Sequence, residues 1–285
     1  MFPAHWSAAH DNAMEEFAAQ LRISKRSPST IEAYGRNVRG FLWTTVKPVK
    51  AIVAPDAFDY LVFLNDKKKL GARTIDQNRS TLKLFYSDIL EIPLPKKLLK
   101  YSKQPSRIPE TLTLKEAAAL FEAESDPQLR TMFMTMYASG LRLAETTHLR
   151  LKDIDSDRMV IHVRLGKGAK DRDVMLSQRL LVDLRTYWRR YRPTEWLFPG
   201  RHDGPISHKK VQQACRKTAA RAGISKRVTP HTLRHSFAAQ LLRNGVSLRY
   251  IQELLGHADI KTTMIYLRVV PESLDVTSPL DMLDF

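Results

Sequence analysis

Cysteine is almost missing from this sequence of 285 residues, which contains only Cys215. A single cysteine forms neither an intrachain disulfide nor a cysteine-based zinc site, so we expect the chain to work in a reducing compartment. No apolar run approaches the ~18 residues that a membrane span requires. The first residues, MFPAHWSAAHDNAMEEF, lack the basic segment and apolar run of a signal peptide. These absences predict a cytoplasmic protein without a membrane segment.

Acidic residues are outnumbered, with 30 of them against 46 lysines and arginines, which gives a formal net charge of +16. A surplus of this size predicts attraction to a polyanion, most commonly a nucleic acid, although a merely solvated basic surface is the alternative. The sequence also lacks a phosphate-cradling glycine loop and a carboxylate cluster suited to magnesium. An ATP-driven enzyme and a two-metal nuclease are therefore disfavoured, and we expect no cofactor and no metal.

The first 95 residues have the periodicity of helices. Apolar residues recur at helical spacing over 11–23, 30–43 and 72–89, and a further helix starts at Val53-Ala54-Pro55-Asp56. Ser29 is placed to cap the second helix, with Glu32 at the capping-box position. Four helices of this length predict a small bundle, which we take as one domain over 1–95.

A change of composition follows between 96 and 110. Prolines there interrupt any helix, and the stretch is basic, with Lys96, Lys97, Lys100, Lys103 and Arg107. The pattern predicts an interdomain linker that either lies along a polyanion or is simply solvated.

A second domain is predicted over 111–270, followed by a C-terminal tail over 271–285. Its helices surround a β-hairpin, with strands over 159–165 and 172–176 and a lysine-rich glycine turn between them. The predicted fold class is therefore mainly α with a small β-hairpin, an α+β arrangement.

Two short motifs place a histidine near groups that suit a phosphate. His231 and Arg234 lie three apart at the start of a helix, where backbone amides and the helix dipole favour an anion. Gly256 ends a helix, which leaves His257 at the junction and Tyr266 two turns into the next helix. Taken singly, each motif also arises by chance, and a lone histidine or tyrosine is commonly structural.

Arg142 and Lys167 are two further candidates. Arg142 follows a glycine break, and Glu145 comes one turn later, which suits either a surface ion pair or an arginine that a carboxylate steadies against a phosphate. Lys167 lies in the hairpin turn, where a lysine is either solvated or reaches the leaving group of a ligand.

The order of these motifs is more informative than any one of them. Arg142, Lys167, His231-x-x-Arg234, Gly256-His257 and Tyr266, within the segments ASGLRLAE, HTLRHSFAAQLL and IQELLGHADIKTTMIY, resemble the signature of the tyrosine recombinase, or phage integrase, family. Within that family, the sequence looks like Xer-type recombinases and integron integrases. The resemblance is strong over 110–285 and looser over 10–95. It implies a helical, SAM-like core-binding domain for DNA and a mixed α/β catalytic domain.

The resemblance also implies the reaction and the principal catalytic residues. A site-specific recombinase of this kind cleaves and rejoins DNA through a 3′-phosphotyrosine, without metal or ATP. Tyr266 is then the nucleophile, and Arg142 and Arg234 hold the scissile phosphate. Lys167 is the general acid for the leaving 5′ oxygen, with Lys170 as a rival for that role.

The resemblance also implies supporting roles for four other residues. The resemblance implies that His231 assists proton transfer, that His257 hydrogen-bonds the phosphate, and that Glu145 and His235 support the site. The chemistry is consistent, because a phenol with a reference pKa near 10 must lose its proton as it attacks. The forked guanidinium groups of arginine can donate to the non-bridging oxygens of the phosphate, where negative charge builds during the attack.

Double-stranded DNA is the implied partner, bound by a homotetramer on two paired sites. The candidate DNA-contacting residues, apart from the linker, are Arg22, Lys25, Arg26, Arg36, Lys67, Lys68, Lys69, Arg73, Arg79, Lys83, Lys209, Lys210, Arg216 and Lys217. The tail over 271–285 packs on its own domain, is disordered, or docks on a neighbouring subunit in trans, as the family favours. A catalytically idle DNA-binding protein and a type IB topoisomerase remain as alternatives.

Overall fold

The computed structural model describes residues 6–102, 108–164, 171–201 and 204–269. The chain divides into two compact units, Met1–Ser106 and Arg107–Phe285, each with its own hydrophobic core. The described residues are mostly helical with one small antiparallel sheet, so the predicted fold class is confirmed. Within those residues, no helix has the length and the apolar character needed to cross a membrane.

The first unit is a bundle of four helices. They are α1 (Ala8–Ile23), α2 (Pro28–Thr45), α3 (Ala54–Asp66) and α4 (Ala72–Asp88), with a 3-10 turn at Val49–Ala51. Phe17 and Phe41 each meet Phe85 edge-on, with ring centroids 5.5 and 6.3 Å apart. All three rings are buried, so these aromatic contacts fix how α1, α2 and α4 pack.

The second helix begins earlier than the pattern predicted. Ser27, not Ser29, is the N-cap, and its hydroxyl accepts the Thr30 N–H at 3.2 Å. Pro28 takes the first helical position, where its missing N–H costs nothing. The sequence favoured Ser29 because of Glu32, but Glu32 forms no box with it and pairs with Arg36 one turn on.

The segment predicted as a linker is partly packed on the first unit. A 3-10 turn at Lys96–Leu99 follows α4, and Leu98 is buried in the first core. The Ser102 N–H donates to the carboxylate of Asp76 at 3.2 Å. Residues 103–107 lie outside the described part of the chain, so the limits 96–110 remain a prediction.

The second unit surrounds a three-stranded sheet with helices. The strands are β1 (Ile154–Asp155), β2 (Val160–Val163) and β3 (Arg172–Met175), with β2 antiparallel to both others. The helices are α5 (Leu114–Ala123), α6 (Pro127–Ser139), α7 (Leu143–Thr147), α8 (Gln178–Tyr191), α9 (His208–Arg221), α10 (Pro230–Arg243), α11 (Leu248–Leu255) and α12 (Lys261–Met264). 3-10 turns lie at Leu151–Asp153 and Ile265–Arg268. Strands β2 and β3 form the predicted hairpin, whose turn over 165–170 lies outside the described residues.

Helices α6 and α10 pack closely and set the frame for the site. Gly140 ends α6 with a φ of 63°, and a Cβ there would lie 2.4 Å from the Phe237 ring of α10. Only glycine satisfies both the left-handed backbone and this approach. The close contact brings the chain leading into α7 beside α10.

Candidate active site

The two predicted arginines converge on one carboxylate. Arg142 is the N-cap of α7, and its Nη1 donates to Glu145 Oε1 at 2.8 Å. Arg234 projects from α10 and is buried, with Nη1 3.8 Å from Glu145 Oε2 and 2.6 Å from the Gly140 carbonyl that accepts from it. The Arg142 side chain keeps 35% of its surface exposed, so a ligand can reach it.

Glu145 is therefore not half of a surface ion pair but a buried carboxylate. A third arginine, Arg172 of β3, donates to its two oxygens at 3.0 and 2.9 Å. Burial alone would raise the pKa of Glu145, but hydrogen bonds from Arg172 and Arg142 outweigh burial and lower it. Sequence reasoning missed Arg172, because nothing local separates it from the other arginines of a basic chain.

The carboxyl end of α11 binds the same three arginines. The carbonyl of Leu254 accepts from Arg172 at 2.8 Å, that of Leu255 from Arg234 at 2.6 Å, and that of Gly256 from Arg142 at 2.9 Å. The last carbonyls of a helix have no partner within it and carry partial negative charge. Together with Glu145, they offset the repulsion between three guanidinium groups.

His257 lies just beyond this helix end. Its Nε2 is 3.0 Å from Arg234 Nη2 and its Nδ1 is 2.9 Å from the Thr263 hydroxyl. An arginine only donates, so Nε2 accepts and the ring proton lies on Nδ1. Burial, followed by the charges of Arg234 and Arg142, lowers the pKa of His257 to about 4, so the ring is neutral at pH 7.

Tyr266 lies in the 3-10 turn Ile265–Arg268, directly after the short helix Lys261–Met264, which corrects the prediction that it lies two turns into a helix. The tyrosine is fully buried, and its hydroxyl is 2.9 Å from His235 Nδ1. Burial raises the pKa of Tyr266 to about 12, while Arg234 and then Arg142 act to lower it. Burial and nearby cationic groups lower the pKa of His235 to about 4. A protonated phenol thus donates to a neutral imidazole.

His231 stands apart from the hydrogen bonds described above. His231, at the start of α10, keeps solvent exposure, and its ring centroid lies 6.3 Å from that of His235. Partial burial of the ring, then Arg234 and Arg142, lower the pKa of His231. Lys167 lies outside the described residues. Across the described ranges, no cluster of three or more histidine, cysteine or carboxylate side chains is arranged for a metal.

The partly buried histidines His235 and His257 predict acid sensitivity of the fold. His235 and His257 have folded pKa values of about 4 against 6.5 for the free side chain, so the unfolded chain binds more protons between those values. The free energy of unfolding should fall as pH drops from 6.5 towards 4. Each histidine contributes less than ~1.4 kcal/mol per pH unit, because both rings are partly exposed. Urea titrations at pH 7, 6 and 5 should show a shallower fall for His235→Gln, and parallel curves would contradict this.

The sequence matches family models and known proteins over most of its length. The phage integrase family matches residues 110–272, and the phage integrase N-terminal SAM-like domain matches 14–96. The putative integrase/recombinase y4qK of Sinorhizobium fredii is 39% identical over 272 residues, covering 94% of this chain and 88% of that protein. Tyrosine recombinase XerC of Xanthomonas campestris is 34% identical over 269 residues, covering 90% of this chain and 83% of that protein.

Solved structures show the same fold. The XerA recombinase is 32% identical with a TM-score of 0.53, over 90% of this chain and 93% of that one. XerH bound to its difH substrate is 22% identical with a TM-score of 0.70, over 88% of this chain and 81% of that one. The chain therefore belongs to the phage integrase family of tyrosine recombinases, enzymes of site-specific DNA recombination.

Proposed function

We propose that Tyr266 attacks a scissile phosphate of double-stranded DNA and forms a 3′-phosphotyrosine, without metal or ATP. The observation that supports this most directly is the buried hydroxyl of Tyr266, which donates to His235 and lies within electrostatic reach of Arg142 and Arg234. The covalent link keeps the energy of the broken phosphodiester, so a free 5′-hydroxyl can reverse the step on the same or another strand.

In this proposal Arg142 and Arg234 hold the non-bridging oxygens of the phosphate. Glu145 and the α11 carbonyls fix both forks before substrate arrives, and preorganised donors of this kind supply a large part of catalysis. His257 holds its proton on Nδ1 in the free protein, so donation to phosphate from Nε2 requires either the other neutral tautomer, in which Nδ1 accepts from the Thr263 hydroxyl, or a second proton, which makes the ring cationic. An arriving phosphodiester anion favours that charged form, because it raises the pKa of a neighbouring histidine.

Proton transfer accompanies the attack. As the Tyr266 oxygen bonds to phosphorus and the bond to the 5′ oxygen breaks, the phenol loses its proton to His235, which it contacts. His231, whose ring centroid lies 6.3 Å from that of His235, assists this proton transfer. The 5′ oxygen takes its proton from Lys167. Since the Tyr266 ring is fully buried, the 3-10 turn Ile265–Arg268 has to shift, or its side chain to rotate, for the hydroxyl to meet phosphorus.

We propose that both units bind DNA, with 1–95 as the core-binding domain and 111–270 as the catalytic domain. The chain then acts as a homotetramer on two paired sites. Lambda integrase, 18% identical with a TM-score of 0.72, was solved as a dimer bound to a COC′ core site. The +16 charge supports the same partner. Arg79 is a weaker candidate for phosphate than expected, because its side chain is 16% exposed and pairs with Asp76. Docking of the 271–285 tail in trans and a cytoplasmic location belong to this proposal.

A trapping experiment on unselected DNA tests the function and finds the target sequence at the same time. The protein is mixed in EDTA with fragmented genomic DNA of the organism that encodes it, and the mixture is denatured in SDS. The DNA ends that remain linked to protein are then sequenced. We expect adducts at one recurring sequence and a nucleotide remnant on Tyr266 by mass spectrometry. A nicked duplex of that sequence then serves as a suicide substrate. Loss of adducts in EDTA would contradict the proposal, and adducts at many unrelated sequences with relaxation of supercoils would favour a topoisomerase.

The general acid provides a separate prediction. Lys167→Ala should keep DNA affinity and lose about 10²–10⁴-fold in cleavage rate, because the basic 5′ alkoxide then leaves without a positioned proton. A substrate with sulfur at the bridging 5′ position should restore the rate, since a thiolate leaves unprotonated. Lys170→Ala is the matched control. A normal rate in Lys167→Ala with a slow Lys170→Ala would transfer the role to Lys170.

A further inference from the structure

We propose that Arg172 is a positioning residue of the cleavage reaction, which holds Glu145 in the orientation that aims Arg142 at the phosphate. This inference rests on the proposed function. Arg172 does not have to touch DNA in this role, because its side chain is only 10% exposed and its three guanidinium nitrogens already donate to Glu145 and the Leu254 carbonyl.

The contacts of Arg172 link three elements of the second unit. From β3 its two terminal nitrogens meet both oxygens of Glu145 on α7, while its Nε donates to the Leu254 carbonyl at the end of α11. Arginine alone presents a rigid fork and a third donor at once, so lysine cannot reproduce this set. The fork leaves Glu145 Oε1 and Oε2 turned towards Arg142, whose side chain and backbone N–H both donate to them.

Gly256 shows that the fold is built around this side chain. A Cβ at Gly256 would lie 3.1–3.2 Å from the Arg172 guanidinium, and the φ of 62° disfavours other residues independently. The carbonyl of Gly256 itself binds Arg142, so a displacement of this helix end moves the phosphate-binding arginine as well. Arg172 therefore acts on Arg142 by two routes, through Glu145 and through the end of α11.

Charge supports the same role. Among the described residues, the cations within 4 Å of the Glu145 carboxylate are Arg142, which caps its helix, Arg172 of β3 and Arg234 of α10. Hydrogen bonds from Arg172 come first among the effects that lower the pKa of Glu145 against burial. Without Arg172, less opposes the effect of burial, which raises the pKa of Glu145, so Glu145 takes up a proton at higher pH. A protonated Glu145 holds Arg142 less firmly.

The test compares Arg172→Ala and Arg172→Lys with the unaltered chain on the nicked suicide duplex, at saturating DNA and across pH 5–8. We expect Arg172→Ala to lose about 10²-fold in cleavage rate, as small misplacements of reacting groups do, with unchanged DNA affinity. As the pH is lowered, the cleavage rate of Arg172→Ala should also begin to fall at a higher pH than that of the unaltered chain. Arg172→Lys should recover part of the rate. Arg249→Ala, which removes an exposed pair with Glu253, is the matched control and should change neither property.

Two further measurements separate the possible causes. Carbon-13 NMR of labelled glutamate carboxyls, on the free protein, should show the pKa of Glu145 rising in Arg172→Ala. Adding Glu145→Gln to Arg172→Ala should cost little more cleavage and remove the pH shift. A wild-type rate and pH profile in Arg172→Ala, or fully additive losses, would overturn the positioning role. An unaltered chain that forms no adduct while the Glu145 shift is observed would overturn the cleavage proposal, and with it the role of Arg172 in cleavage.

Discussion

Tyr266→Phe is expected to bind target DNA as tightly as the unaltered chain and to form no covalent adduct. The substitution removes only the hydroxyl that attacks phosphorus and keeps a ring that is fully buried in the second unit. Its structural effect should be small, since it removes one hydrogen bond, to His235 Nδ1, worth about 1 kcal/mol. Adduct yield on SDS gels and DNA affinity by titration at fixed salt measure the two properties separately.

The control for this result is Tyr250→Phe. Tyr250 lies in the first turn of α11, whose opposite end forms part of the site, and is half exposed, so its hydroxyl should be dispensable and adduct yield unchanged. If Tyr266→Phe still becomes linked to DNA, mass spectrometry of the adduct will identify the true nucleophile and the proposed assignment is wrong. If Tyr266→Phe loses both the adduct and DNA affinity at native stability, the hydroxyl has a binding role that the proposal does not include.

Local signals explain what the sequence could predict. Thr113 and Glu116 form a capping box at the start of α5, and the helix Pro127–Ser139 begins at a proline and ends before Gly140. Such signals depend on backbone geometry over a few residues, which the sequence carries directly. Strand β1 escaped prediction because two residues are too few for an alternation to appear.

The contacts between the site residues could not be predicted from the sequence. The motifs named Arg142, Arg234 and His257 as separate candidates, and the structure brings them into contact through Glu145 and the end of α11. Arg172 could not be found this way, since its partners Glu145 and Leu254 lie 27 and 82 residues away in sequence. A buried fork is defined by tertiary packing, and an arginine in a strand looks the same whether it is solvated or buried.

Tyr266 illustrates a third limit. The pattern over 261–269 suits one helix, but the chain changes to a 3-10 turn at Ile265. Intrinsic preference barely separates the two forms, so packing decides, and here Tyr266 is buried in a small cluster with Phe237 and Ile251. The sequence therefore identified the residue, while its hydrogen bond to His235 required the structure.

Arg234→Lys should lose about 10²–10³-fold in cleavage rate while keeping most DNA affinity, because it retains the charge but not the fork. Arg234 binds the Gly140 and Leu255 carbonyls and His257 from two terminal nitrogens, and one ammonium group cannot reach all three. The variant should also unfold more easily, by about 1–3 kcal/mol for each buried carbonyl left without a donor. Single-turnover cleavage, measured well below the unfolding temperature, separates the two effects.

The matched control is Arg243→Lys, at the exposed end of the same helix, which should leave both rate and stability unchanged. The comparison is informative because the two substitutions are chemically identical and differ only in what the guanidinium contacts. A large loss confined to Arg234→Lys means that geometry, beyond positive charge, stabilises the transition state. Cleavage within a few-fold of the unaltered rate would mean that charge alone suffices at this position, and the carbonyls of α11 would then have a role in folding and none in aiming Arg234.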